Sequence, residues 1–350
     1  MTPALAPVVL MAIAGGMIAL PLAPAILEVI QRRDAGPLPT RKDEGHIRSF
    51  AQALRRYIEP LQSQLAECAD RGTIEECRLP DGAYALLVGQ PGIYEVPEEQ
   101  SKTLILFAKP VSLRDQMIFA KDLYTADVLR SGRQNIFRAV LADKDVILAE
   151  ESQVMRWLHA NGIVILGRNS AAFGRLSADG AVRFSSGCGF QRVNAPTVMT
   201  MDDALQPLES QPAIARSLQI QESKLGRSRI RGEIHLGPNE MFLGNIIATG
   251  AVRIDEGTRI AGSAKGHKQI HLGERAEVGG SLVSTGDIRM GPNCLIRGPV
   301  LADGEIYIGS GTQIGAPGSP TTVSAPRIRV APGCSFYGTL WARVSGRVEN

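Results

Sequence analysis

The sequence predicts an all-β fold, a parallel β-helix with coils of about eighteen residues. Two observations predict it. From Glu233 to Gly304 the chain divides into four blocks of eighteen: EIHLGPNEMFLGNIIATG, AVRIDEGTRIAGSAKGHK, QIHLGERAEVGGSLVSTG and DIRMGPNCLIRGPVLADG. Places two and four of each block are apolar: Ile234 and Leu236, Val252 and Ile254, Ile270 and Leu272, Ile288 and Met290. Place twelve is glycine throughout: Gly244, Gly262, Gly280 and Gly298. A fixed period of this size marks a solenoid, whose repeats bury their apolar edges only by stacking. Alternation gives short strands with one face inward. Glycine and polar residues turn the chain between them. A helix would need an apolar period of about 3.6.

Composition agrees. Aromatics are 5% of the 350 residues and glycines number 37, which suits a narrow aliphatic core with many turns. A net charge of +3 is too small to argue for nucleic acid. Five cysteines make no disulfide framework. Cys188, Cys294 and Cys334 fall at place eight of their blocks and are expected as small core residues in one stacked column. Cys68 and Cys77 are close enough in sequence to pair in an oxidising compartment, but nothing requires it.

In chain order, residues 1–31 read as a transmembrane anchor. Leu5 to Ile30 is almost wholly apolar, Glu28 being its only charge, and that length spans a bilayer. The leader MTPALAP lacks the basic residues of a cleaved signal peptide. Positive charge follows the span at Arg32, Arg33, Arg41 and Lys42, so the positive-inside rule puts the body in the cytoplasm. The opposite orientation would make it periplasmic. Residues 32–102 read as a GPLPT linker, an amphipathic helix from about Asp43 to Ala69, and lead-in strands. The helix is expected to pack on an end of the solenoid, where it would serve as a cap, or to lie on the membrane surface. Its apolar positions Ile47, Phe50, Leu54, Tyr57, Ile58, Leu61 and Leu65 recur at three and four. Residues 103–350 read as the solenoid. Its coils include Asp145 to Gly162 and Ile163 to Gly180, with Val146, Leu148, Val164 and Leu166 in register. Breaks fall near 199–216 and 317–325. A dozen such coils would make a rod on the order of 55 Å long.

Catalytic patterns are weak. No Ser-His-Asp arrangement, Walker loop or nucleotide fingerprint occurs. His235 and His271 share place three, two coils or about 10 Å apart, too far to share a zinc. The histidines, His159 and His267 included, read as solvated. No enzyme, metal or cofactor is expected. Place three forms an outward basic stripe, Arg183, Arg253, Arg289 and Arg329, a candidate contact for lipid headgroups or an acidic partner. The last coil, with Phe336, Tyr337, Leu340 and Trp341, reads as an uncapped end on which a second copy could stack by strand addition.

The coils "EIHLG", "QIHLGERAEVGGSLVSTG" and "DIRMGPNCLIRGPVLADG" resemble those of bactofilins, polymer-forming bacterial cytoskeletal proteins. The resemblance covers about two-thirds of the chain. It implies a right-handed β-helix, assembly without nucleotide, membrane association, and recruitment of envelope- or polysaccharide-building enzymes. The chain departs from it in its length, its two coil breaks and its full membrane span. The function expected is a non-catalytic scaffold on the bacterial inner membrane. Its partners would be itself and envelope or exopolysaccharide proteins, without nucleic acid. Alternatives are a hexapeptide-repeat acyltransferase, whose coils also run to eighteen residues, and a periplasmic carbohydrate-binding β-helix.

Overall fold

The computed structural model describes residues 47–79, 81–95, 102–205 and 226–350, with three further positions, Met11, Ala14 and Met17, that are helical and exposed. The chain separates into two compact units, 1–46 and 47–350. The expected membrane span lies outside the described residues except at those three positions. Among the described residues no helix is long and apolar enough to cross a bilayer.

The described strands between residues 84 and 348 form a β-solenoid of about 13 turns spaced by about eighteen residues. Coils before residue 200 have two strand segments, such as Val146–Leu148 and Gln153–Ala160, and those after residue 226 have three. In the block from Glu233, Ile234–Leu236 fills places two to four, Met241–Phe242 places nine and ten, and Gly244–Ala248 places twelve to sixteen. The second alternation of the sequence is thus split between two faces. In these four blocks place twelve is glycine because backbones of neighbouring coils nearly touch there. A Cβ on Gly262 would stand 2.3 Å from the carbonyl oxygen of Gly244. Place seven is a left-handed corner in every coil, held by Asn239, Gly257, Arg275, Asn293 and Gly311 with φ of 56–69°. Asparagine and glycine are the residues that reach this conformation most cheaply.

Interior files run as the spacing predicts. Ile234 lies beside Val252, Val252 beside Ile270, Ile270 beside Ile288, and Ile288 beside Ile306. Val146, Val164 and Val182 form the matching file upstream. Parallel coiling begins earlier than residue 103: Tyr84–Val88 already pairs with Leu104–Phe107, and Ile74–Arg78 folds antiparallel onto it. The second break is a short loop before Thr321–Val330, after which Ile328 rejoins the file of Ile306.

One expectation fails outright. The solenoid is two arrays, 84–200 and 226–348, docked through their last coils. Strand Gly189–Thr200 pairs antiparallel with strand Ser335–Val348, setting Val193 beside Leu340, Ala195 beside Gly338 and Val198 beside Phe336. Ser335–Val348 also pairs with Thr321–Val330 on its other edge. Phe336, Tyr337, Leu340 and Trp341 therefore do not form an open end, since both their edges are already hydrogen-bonded. Phe336 and Leu340 are buried, and one apolar core runs from Leu86 to Val348 across the joint. Reversal at the joint also exchanges faces. The file of Val182 continues through Val198 and Phe336 to Ile314, whereas that of Val252 leads through Ile328 and Gly346 to Phe190.

The amphipathic segment is two helices, α1 (Ser49–Ile58) and α2 (Gln62–Arg71), separated by a 3₁₀ turn at Glu59–Leu61. Pro60 lacks an N–H and cannot continue the α1 ladder. Nor do the helices close the end of the solenoid. Ala51, Leu54, Ile58, Leu61 and Leu65 pack instead against outward side chains of the first array, among them Ala85, Leu87, Leu106 and Leu141. The strands there, YALLV, LILF and IFRAVLA, carry apolar residues on both faces. Such runs are what a sheet covered on both sides requires. Arg48 reaches Asp179 (2.7 Å), and Arg55 reaches Asp143 (2.6 Å), a contact of charge rather than an aligned hydrogen bond.

Candidate functional site

Beside α1, whose Phe50, Ala53, Leu54 and Tyr57 make one wall, lies a groove of about 900 Å³ that reaches the joint. This volume lies within the range of about 300–1,000 Å³ usual for ligand sites. Its floor is built by repetition. Arg138, Arg156, Arg175 and Arg192 occur at intervals of 18, 19 and 17 (156 − 138, 175 − 156, 192 − 175). The step of 17 follows the bulge between Ala172 and Arg175, whereas the step of 19 sets Arg175 beside Trp157, one residue on from Arg156. Arg175 lies directly beside Arg192, and Arg192 beside Trp341 of the other array. Arg343 enters from that same strand.

The balance of charge there is one-sided. Asp122 is the groove's carboxylate and is bound to Arg138. Burial raises the pKa of Asp122, while Arg138, Arg156 and Lys121 pull it the other way. Among the described residues no carboxylate stands within ion-pairing distance of Arg156, Arg175, Arg192 or Arg343. Arg343 donates to the Ser324 hydroxyl and the Ala302 carbonyl, both at 3.3 Å. Arg192 Nε is buried without a hydrogen-bond partner, and burial, then the neighbouring Arg175, lowers its pKa. Two of these guanidiniums rest on aromatic rings, Arg175 over Phe50 at 4.4 Å and Arg192 over Trp341 at 5.1 Å. Stacking fixes each planar fork while leaving its edge N–H groups free to donate. Such a row, with low-dielectric walls, has the chemistry that suits an anion.

The stripe expected from the sequence is only partly assembled. His235, Arg253, His271, Arg289, Tyr307 and Arg329 do form one outward file. Arg183 is not in it. Its file runs through Met199 to Ser335 and Gln313, a different face, because the joint reverses the second array. The stripe is also partly neutralised. Asp255 pairs with His235 (2.7 Å) and Arg253 (3.2 Å), and Glu305 with Arg329 (2.6 Å) and Arg327 (3.7 Å). Bonding to His235 holds the Asp255 carboxyl below its ordinary pKa. The groove keeps more uncompensated charge than the stripe.

Two smaller expectations change. His159 is buried rather than solvated; its Nδ1 meets the Ser177 hydroxyl at 2.8 Å, and burial lowers its pKa. The three place-eight cysteines are buried, but in two columns. Cys294 and Cys334 belong with Thr258, Ala276 and Thr312, whereas Cys188 follows Ser152 and Ser170 of the first array. Cys68 and Cys77 are both free.

The groove was missed because its arginines keep the eighteen-residue period only within one residue. Three comparisons with known proteins found no matching family model, curated relative or solved structure.

Proposed function

We propose that this chain is a non-catalytic scaffold, a rigid β-helical body that presents the arginine groove to an anionic partner. The observation that carries the reading is the row Arg156, Arg175, Arg192 and Arg343, none of which is within ion-pairing distance of a carboxylate among the described residues. An arginine row that served only the fold would be expected to carry its own acids, as the stripe of the second array does with Asp255 and Glu305. The likeness to bactofilins favours a membrane-tethered scaffold that recruits envelope- or polysaccharide-building proteins, with residues 5–30 as the tether and the body in the cytoplasm.

Self-association belongs to this reading, at a different place from the one expected. The coil formed by Gly226–Ile230, Ile234–Leu236 and Met241–Phe242 pairs on one side only among the described residues. It exposes Met241 and Leu243. Unpaired strand edges of this kind invite addition of a second copy.

Two experiments test the reading. A reporter fused after Asn350 that is active only in the cytoplasm supports the orientation; activity only in the periplasm favours the carbohydrate-binding alternative. Sedimentation of the full chain with Met241→Lys and Leu243→Lys is expected to show smaller particles than the parent. Unchanged particle size removes this coil from assembly.

A further inference from the structure

We infer that the groove binds an acidic oligosaccharide laid along the stacking axis of the coils. This deepens the reading of the groove as the docking place of an anionic partner and rests on it. Arg156, Arg175 and Arg192 come from successive coils, which rise about 4.8 Å each. Arg343 continues the row across the joint. A lone anion would engage one or two of these guanidiniums; a row calls for charges repeated along a chain. Acidic sugars supply one carboxylate per ring, the group that a guanidinium fork binds in bidentate fashion.

The walls select against other polyanions. Phe50, Tyr57 and Trp341 line the groove and remain 48%, 38% and 42% exposed. Inorganic polyphosphate has no apolar surface to place on them, whereas the C–H face of a sugar ring has. Nucleic acid needs a broad basic field to release its counterions, and here Asp143 and Asp179 lie within reach of α1, holding Arg55 and Arg48. A neutral glycan would cover the guanidiniums without pairing them, at the cost of their desolvation.

Both tryptophans of the chain, Trp157 and Trp341, line this groove, so intrinsic fluorescence reports on it directly. The test titrates the full-length protein with hexagalacturonate, maltohexaose, inorganic polyphosphate and oligo-dT. Expected is a saturable change with hexagalacturonate that weakens as salt is raised from about 0.05 to 0.5 M. Arg156→Ala and Arg175→Ala are each expected to weaken it at least tenfold with an unchanged thermal melt. Arg289→Ala, in the stripe of the second array, is expected to leave it unchanged. Polyphosphate or oligo-dT binding in place of hexagalacturonate would overturn the sugar assignment and leave the anionic groove standing. Equal binding of maltohexaose would overturn the role of charge. Failure of all four probes would remove the sugar assignment and the anionic reading together. Binding indifferent to both arginine variants would place the ligand elsewhere and overturn the site.

Discussion

Place eight shows how much one buried position demands. It holds Thr258, Ala276, Cys294, Thr312 and Cys334 in the second array, all small and all buried. Each hydroxyl or thiol has a turn to bond: Cys294 Sγ lies 3.2 Å from the Gly273 carbonyl, and Thr312 Oγ1 receives the Cys294 N–H at 3.3 Å. Burial pushes the thiols of Cys188 and Cys294 from about 9 up to about 12, and that of Cys334 to about 11. In the unfolded chain these thiols ionise near their ordinary pKa of about 8.5. The folded state therefore holds more protons above that pH, so stability is full below it and falls as pH rises toward 11–12. Denaturation midpoints of the parent are expected to drop steadily above about pH 9. A Cys188→Ala, Cys294→Ala, Cys334→Ala variant should drop less over the same range; parallel curves would refute this. Ala276 shows that alanine fits the column, so Cys294→Ala should cost no more than about 1.5 kcal/mol, checked by urea denaturation. That the column is small and buried was legible from spacing alone. Its division into two was not, because residue type at place eight carries no trace of which array a coil belongs to.

Helices α1 and α2 show where element-level reading stops. Their three-and-four periodicity was plain, and so was the apolar run of Tyr84–Val88. What joined them was hidden, because a strand with apolar residues on both faces has no alternation to say which face is inside. The packing now sets the energetics. Ile58 is fully buried against the first array, while Arg48 holds an exposed partner and Arg55 a half-buried one at the rim. Removing most of a buried isoleucine costs about 2–5 kcal/mol, whereas an exposed ion pair is worth about 0–1 kcal/mol. Ile58→Ala is therefore expected to destabilise the protein several times more than Arg48→Ala. It should also open the 49–71 segment to limited proteolysis before the solenoid is cut. Equal effects of the two substitutions, measured by urea denaturation, would mean that charge rather than packing docks the helices. Because α1 forms one wall of the groove, Ile58→Ala should also weaken any ligand there without touching an arginine. The arginine row itself was half legible. Arg138, Arg156 and Arg192 keep the period and Arg175 stands one residue off it, but the bulge that sets Arg192 beside Arg175 is one that no side-chain pattern announces.

At the scale of the molecule, the decisive contact is the antiparallel joint, because it converts two stacks with open ends into one body with a shared core. Repeat proteins gain stability mainly from interfaces between neighbouring coils. Here the last interface joins coils that are remote in sequence, Val193 on Leu340 and Val198 on Phe336. Gly346 is its tightest point: a Cβ there would stand 2.2 Å from the Phe190 ring of the other array. Gly226, on the coil farthest from the joint, would meet nothing within 4 Å. Gly346→Ala is thus expected to cost about 1–3 kcal/mol through overpacking and Gly226→Ala less than about 0.5 kcal/mol. The loss at Gly346 should also change cooperativity. If the joint couples the arrays, the parent melts in one calorimetric transition and Gly346→Ala in two, the weaker array first. Phe190→Leu introduced beside Gly346→Ala should restore part of the coupling by vacating ring space, with the coupling energy read from the double-mutant cycle. Two transitions already in the parent, or a Gly346→Ala melt as cooperative as the parent's, would mean that the arrays fold independently and merely touch. In that case Arg192 and Arg343, which line the groove from the two sides of the same joint, would have no fixed spacing with which to hold a single ligand.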